Sequence, residues 1–349
     1  MIESLSSNFI NKSSKIMNLS NLFPGGLARC AVKEGVGKLY PIIFDFSLDK
    51  AAAIMNPSVF NDGGIIRACV RGTNYTLGHS EKNLFPHWAG PLQYIHPEND
   101  VRLATENFIV DFDDDFNVTK VRYCKMLELH QRQWDFHGLE DGRLFRWNGK
   151  LFLCGVRRDT TPNGQGRMEL SEFILNDTEA LEINRMRIPT PGNGDEYCEK
   201  NWMPILDKPY HYVRWANPLE IVEYSPETGQ TEVRMSKINP DFRQDVRGGS
   251  HVVRYKNYYI AMGHTVELWK PYAGEKDSIY HEHLMIYDTE FNLIAMTDDF
   301  KFIDAYIEFC CGMAFDNNGQ LLISFAEMDN NPFILKLDPD WLINKVLEG

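Results

Sequence analysis

The sequence predicts an all-β protein, and three observations carry that prediction. From Lys38 almost to its end the chain is a succession of short apolar runs, some alternating and some continuous. Turn residues separate these runs at hairpin spacing. Helical periodicity is nearly missing between them. Evenly spaced hairpins favour repeated four-stranded sheets over a sandwich, so a β-propeller is the expected architecture.

Taken in order, residues 1–36 read as an N-terminal arm or short helix ending at the Pro24-Gly25-Gly26 break, and 37–349 as the propeller domain. Runs 39–46 and 65–71 form the first strand pair. Residues 72–100, rich in His, Asn, Pro and Gly, read as a long loop, which in a compact domain marks a functional or mobile segment. Strands 107–111 and 118–126 follow, joined through Asp113-Asp114-Asp115. The most strongly patterned hairpin comes next, with arms 144–147 and 150–154 about Asn148-Gly149, a pair that suits a type I′ turn. Runs 168–175 and 183–188 make another hairpin, and 203–215 holds strands about Asp207-Lys208. Pairs 220–224 with 231–235, 251–255 with 258–263, and 283–288 with 293–297 each flank a polar turn. Runs 312–315, 321–325 and 333–337 complete the β region, and Asp338-Pro339 caps a short C-terminal helix over 341–347.

Composition narrows the function classes. The 349 residues are 43% hydrophobic and carry a formal charge of -13, which argues against a broad nucleic-acid or anionic-membrane footprint. Aromatics at 12% suit β structure and a sugar-binding surface. Seven scattered cysteines without a C-x-x-C pair indicate neither a disulfide framework nor a metal site, so a reducing, cytoplasmic setting is expected. Neither a signal-peptide apolar run nor a stretch of transmembrane length stands in the sequence.

One cluster stands out: Glu140-Asp141-Gly142-Arg143, where the chain approaches the patterned hairpin. A rigid hairpin is a good mount for a carboxylate that must hold one orientation. Taken alone, the cluster reads as a solvated Asp141–Arg143 pair. Three later clusters repeat its style, each just before an apolar run: Glu199-Lys200-Asn201-Trp202, Arg247-Gly248-Gly249-Ser250-His251, and Ile307-Glu308-Phe309-Cys310-Cys311-Gly312. In a propeller the innermost strand of each blade begins near the central funnel, so the four clusters are expected to converge there.

This succession, closed by Asp329 after Ser-Phe-Ala-Glu-Met, resembles the five-bladed propeller of glycoside hydrolase family 130 over roughly residues 38–337. That family contains β-mannoside phosphorylases and some hydrolases, and the related glycosyltransferase family 108 contains mannosyltransferases. The resemblance implies five blades, with Asp141 as the proton-transfer residue and Glu140 and Arg143 as its neighbours. It implies Arg71 in the sugar and phosphate pocket, Lys200 and Asn201 near phosphate, and His264, Glu308 and Asp329 lining the site. The chain departs from the family at three places. Gly142 replaces a proline, Arg247-Gly-Gly-Ser-His251 replaces Gly-x-Gly-x-Pro-Pro, and Val213-Arg214-Trp215 stands where many members carry His-Arg. These departures fall on the phosphate site and favour a nucleotide-sugar transferase over a phosphorylase, with hydrolysis third. A sugar-binding propeller without catalysis is the rival from another class.

The chemistry required fits these residue types. An inverting glycosidase needs an acid and a second carboxylate that activates water. Phosphate as nucleophile, or a departing diphosphate, needs cations instead. Arg71, Arg157, Arg158 and Arg167, with Lys200, offer such contacts; for the arginines after the hairpin, pairing with Asp159 and Glu169 is an equal alternative. Arg214, His251 and His283 complete the candidate substrate-binding set, the last within His281-Glu282-His283, which lacks a third metal ligand. Trp202, Trp215, Trp269 and Tyr272 are candidates for sugar stacking, with packing as the default for each. The expectation is therefore no tightly bound cofactor, a phosphorylated or nucleotide sugar as donor, and a carbohydrate-type acceptor. A nucleic acid enters only as a modified acceptor, no membrane partner is expected, and a homo-oligomer is compatible with the sequence.

Overall fold

The computed structural model describes residues 22–46, 51, 53–76, 84–87, 90–94, 102–194, 197–216, 218–239, 246–269 and 277–348. The first part of the expected arm, Tyr272 and the side chain of Trp269 lie outside the described residues.

The described chain folds into five blades, each four-stranded except the fourth, whose innermost strand is in two pieces. Blade 1 is Ala53–Asp62, Ile65–Thr73, Leu103–Phe112 and Val118–Lys125; blade 2 is Leu139–Trp147, Lys150–Arg157, Arg167–Leu175 and Glu179–Arg187. Blade 3 is Met203–Pro204, His211–Ala216, Leu219–Ser225 and Gln230–Lys237. Blade 4 opens with Arg247–Gly248 and Val253–Tyr255, followed by Tyr258–Trp269, Asp277–Tyr287 and Leu293–Met296. Blade 5 takes Glu308–Phe315, Leu321–Glu327 and Asn331–Leu337 from the end of the chain and its outermost strand, Gly37–Pro41, from near the start. That pairing closes the ring.

A buried apolar cluster fills each junction between neighbouring blades. Ile109 and Leu153 meet between blades 1 and 2, Trp147 and Tyr212 between 2 and 3, and Val213 and Ala261 between 3 and 4. Met262 and Phe325 meet between blades 4 and 5, and Val110 and Leu322 join blade 5 to blade 1. Innermost strands are covered on both faces, which is why Glu308–Phe315 reads as a near-continuous apolar run. The outermost Gln230–Lys237 is largely solvent-facing, and its sequence is polar to match.

Several local expectations are met and others corrected. Asn148 and Gly149 have φ of 50° and 78°, as a primed turn demands. The C-terminal helix spans Pro339–Glu348. The Gly25-Gly26 break begins a helix, Leu27–Lys33, instead of ending one. A Cβ on Gly26 would lie 2.3 Å from the Phe302 carbonyl oxygen, so the glycine lets the helix dock onto that carbonyl. The run at 39–46 supplies the last blade and does not pair with 65–71, because its partner lies about the whole chain away at Asn331–Leu337. The long segment after Gly72 contains a small sheet of Tyr75–Thr76, Leu84–His87 and Gly90–Tyr94. Among the described residues no helix is long and apolar enough to cross a membrane.

Where blades 1 and 5 meet, a Cβ on Gly312 would lie 2.4 Å from the Val59 nitrogen and 2.6 Å from Ser324 Oγ. Gly312→Ala is expected to destabilise the fold by about 1–3 kcal/mol through overpacking, read as a lower urea midpoint.

Candidate active site

The funnel-facing polar groups sit where the backbone leaves regular strand geometry. Asn56, Asp141, Asn201 and Asp329 have φ of 46°, 50°, 61° and 50°, in a region that non-glycine residues seldom occupy. They stand in the innermost strands of blades 1 and 2, just before blade 3, and in a hairpin of blade 5. Such strain persists only where the surroundings enforce it, and it gathers at functional sites.

Asp141 lies in a bulge of strand Leu139–Trp147, where the register shifts between Glu140 and Arg143. Glu140–Arg143 is therefore part of the strand and not its approach. Gly142 is small for a packing reason: a Cβ there would lie 2.6 Å from Leu153 Cδ1. The left-handed residue is Asp141 itself. Its Oδ1 accepts from Arg71 Nη1 at 2.9 Å and from Asn56 Nδ2 at 2.8 Å. Burial pushes the carboxyl up, but Arg71, Arg143 and the Asn56 amide outweigh it and hold the group at about 2. Arg71 also reaches Glu140 Oε2 at 3.5 Å, Thr105 Oγ1 at 3.2 Å and the Tyr75 hydroxyl at 3.1 Å.

The expected Asp141–Arg143 side-chain pair gives way to a different bond. Arg143 is fully buried and donates from Nη1 to the Asp141 carbonyl at 2.7 Å. From Nε and Nη2 it donates to the Gly249 carbonyl at 2.9 and 2.8 Å. It is a strut between blades 2 and 4. The glycines of Arg247-Gly248-Gly249 permit close packing there, since a Cβ on Gly248 would lie 1.9 Å from the Asn201 carbonyl oxygen.

On the other side of the funnel stand Lys200, Asn201, Arg247 and His264. Lys200 is exposed and Arg247 half-buried, and among the described residues neither has a carboxylate partner. Asn201 is buried with Oδ1 unpartnered, and His264 is buried with Nδ1 unpartnered. The His264 ring stacks on Tyr280 at 5.4 Å and meets the edge of Phe309 at 4.9 Å. Burial first, then Lys200, Arg247 and Arg143, push His264 down to about 3, so it is a neutral group at physiological pH. Burial first, then Asp329 and Asp141, push the Tyr280 hydroxyl above its usual range, with Arg247 opposing.

The remaining candidates are engaged within the protein. Arg157 pairs with Glu169 at 2.8 Å and Asp159 at 3.3 Å, and Arg158 donates to the Gly164 carbonyl and lies over Phe136. Arg167 donates to the carbonyls of Gly166 and Tyr197. Arg214 bridges Glu199 at 2.5 Å and Glu220 at 2.6 Å, between the rings of Trp202 and Trp215. His251, pushed down to about 3 by burial and Arg143, accepts from the Met313 amide at the hub of the blades. His283 contacts the Thr297 carbonyl, Thr265 and Asp299. Glu308 accepts from the amides of Phe302, Ile303 and Ala305, clamping the loop before blade 5. Asp113 likewise caps its own turn through the amides of Asp115 and Asn117.

Sequence reasoning missed Asn56, Tyr75 and Tyr280; it placed Arg247 in a funnel cluster without giving it a role and met Glu282 only as the middle of His-Glu-His. Asn56-Pro57 inside an apolar strand was a readable bulge signal. Glu282 lies opposite His264 in the sheet, with Oε1 on the Cys310 amide and Oε2 unpartnered; burial pushes it well above the usual carboxylate range. A carboxyl at the centre of His-Glu-His is invisible as a core residue until the strand pairing is known.

The fold and site define a five-bladed propeller with a charged funnel. Its architecture is shared by beta-1,2-mannobiose phosphorylase from Listeria innocua, at a TM-score of 0.53 and 12% identity, covering 89% of this chain and 94% of that one. A structure from Parabacteroides distasonis, described provisionally as a glycoside hydrolase, aligns at 0.54 and 12% over 82% and 87%. A third, described with the GH130 mannoside phosphorylases and hydrolases that target beta-1,2 mannosidic linkages in Candida mannan, aligns at 0.53 and 12% over 82% and 85%. The resemblance to family 130 thus holds at the level of the fold. No family model matches the sequence, and no curated protein matches it.

Proposed function

We propose that the protein transfers a sugar, mannose by analogy with its structural neighbours, from a phosphorylated donor to an acceptor hydroxyl, with Asp141 receiving the proton. The observation that carries this reading is one funnel with two kinds of charge. An ionised Asp141 stands on the wall formed by blades 1 and 2, and two cations without carboxylate partners among the described residues, Lys200 and Arg247, stand on the wall formed by blades 3 and 4. A carboxylate held at about 2 is a proton acceptor at rest, which transfer to a hydroxyl requires. Phosphorolysis and hydrolysis require a proton donor at rest, and Asp141 is poorly set for that role. Lys200, Arg247 and the Asn201 amide suit the oxygens of a departing phosphate or diphosphate. The reaction calls on no tightly bound cofactor.

The test is a donor screen by mass spectrometry, with sugar 1-phosphates against nucleotide sugars and orthophosphate present or absent. Release of a nucleoside diphosphate supports the transferase, phosphate-dependent cleavage supports a phosphorylase, and sugar binding without turnover supports the non-catalytic rival. Lys200→Ala and Arg247→Ala are each expected to weaken donor binding by about tenfold or more, since a hydrogen bond to a charged group contributes roughly 1.5–3 kcal/mol. Isothermal titration with the donor checks this, and thermal melting should change little because neither side chain supports the fold.

A further inference from the structure

Among the described residues three Phe, Trp or Tyr side chains are exposed: Trp134 at 41%, Tyr197 at 57% and Tyr306 at 66%. Each lies shortly before an innermost strand, those of blades 2, 3 and 5. Two of them are fixed to one turn, residues 158–166, which joins the second and third strands of blade 2. Trp134 Nε1 donates to the Thr161 carbonyl at 2.7 Å, and its ring packs on Gly164, where a Cβ would lie 3.2 Å from it. The Tyr197 carbonyl accepts from Arg167 Nη1 at 2.7 Å, at the end of that turn, and the Tyr197 ring meets Trp215 edge-on at 5.3 Å. A Cβ on Gly166 would lie 2.8 Å from Cys198 Sγ, so the chain after Tyr197 packs directly on the turn. Such anchoring holds amphipathic rings at the surface in one orientation, the form in which Tyr and Trp serve in recognition.

The same turn lines a cavity of about 420 Å³, within the range of small-molecule sites, about 300–1,000 Å³. Thr161, Asn163 and Thr190 supply hydroxyls and an amide, and Ile188 and Pro189 an apolar wall. Thr190 is buried, and its Oγ1 has no partner among the described residues. Arg187 also lines the cavity, but Glu169 at 2.7 Å and the Thr160 hydroxyl hold its guanidinium. Uncharged polar groups beside apolar walls suit a neutral polyol, and a net charge of -13 disfavours a polyanion. Strand register ties the cavity to the funnel. Leu139 lies opposite Arg157 and Arg157 opposite Arg167, which lines the cavity. That edge therefore stands two ladder spacings, about 10 Å, outward from the strand that carries Asp141. Tyr197 stands shortly before Lys200 on the path between them.

We propose that Trp134, Tyr197 and this cavity form a track for the body of a neutral saccharide chain whose end enters the funnel. The acceptor is then an oligosaccharide or polysaccharide, not a single sugar. The inference rests on the sugar-transfer reading for its choice of ligand. The two rings cover the apolar faces of sugar units near the funnel, and Thr190 meets a hydroxyl of a unit farther out. Tyr306 lies off the track, beside Lys301 at 5.6 Å and before a blade that adjoins neither blade 2 nor blade 3.

Isothermal titration with mannose and with beta-1,2-linked mannohexaose tests the track on wild type, Trp134→Ala, Tyr197→Ala and Tyr306→Ala. Wild type is expected to bind the hexaose about tenfold more tightly than mannose. Trp134→Ala and Tyr197→Ala should each lose most of that gain, and Tyr306→Ala should keep it. A wild type that gains nothing from chain length overturns the track. So does a gain kept in either track variant, or a loss as large in Tyr306→Ala. Should Trp134→Ala fail to fold, Tyr197→Ala decides alone, because the Tyr197 anchor is its own carbonyl and survives the change. Transfer assays on the same proteins separate the track from the wider reading. Sugar transfer to mannose without any chain-length gain in binding overturns the track alone. A chain-length gain that the two variants lose, in a wild type that transfers nothing from any donor, upholds the track and overturns the sugar-transfer reading.

Discussion

Asp141→Asn is expected to lower turnover by about a thousandfold, because the amide cannot accept the proton that the proposed sugar transfer would release. The substitution keeps an oxygen for Arg71 and Asn56, so the site retains its shape. It removes a charge that contributes to folding. The carboxyl sits at about 2 in the folded protein against an ordinary 3.8, so its contribution is present above about pH 4 and is lost as pH falls toward 2. That contribution is roughly 2 kcal/mol at neutral pH. Urea midpoints of wild type and variant should therefore differ at pH 7 and converge under acid. Near-normal turnover in the variant would remove Asp141 from the mechanism.

Arg143→Met is expected to damage both fold and activity without touching the substrate. The guanidinium holds two backbone carbonyls, that of Asp141 and, twice, that of Gly249. Methionine fills the space and leaves both oxygens buried without donors, at a cost of about 3 kcal/mol or more. The strained backbone at Asp141 then loses its brace, and kcat should fall while the donor is still bound. Arg143→Lys should fail nearly as badly, since one ammonium cannot reproduce the planar fork. Denaturation midpoints and kcat, measured on both variants, check the pair of effects.

The hairpins were legible in the sequence because their causes are local. Asn148-Gly149 and the polar turns after Tyr224 and Tyr255 mark bends whichever fold surrounds them. Ring closure was not, because the pairing of Gly37–Pro41 with Asn331–Leu337 is decided by which edge remains open once the other blades have formed. The funnel showed itself as charged residues set before apolar strands. What each charge does depends on cross-strand register. Arg157 meets Glu169 because their strands pair with Gly155 opposite Glu169, and no spacing along the chain reveals that. Lys200 and Arg247 remain available because no acid falls opposite them among the described residues. The wide spread of the partners explains why Arg143 read as a local ion pair, when its acceptor at Gly249 is more than a hundred positions away.

The shared last blade also bears on how the protein comes to be made. Its outermost strand leaves the ribosome early and must wait for Glu308–Leu337 before it has anything to pair with. A nascent chain already carries Asp141 and Lys200, yet it has no closed funnel and no Asp329. Contacts of such long sequence separation form slowly, so the step that seals the ring is also the step that brings Asp329 to the funnel. The assembled funnel then arrives at once and late, together with the closed ring.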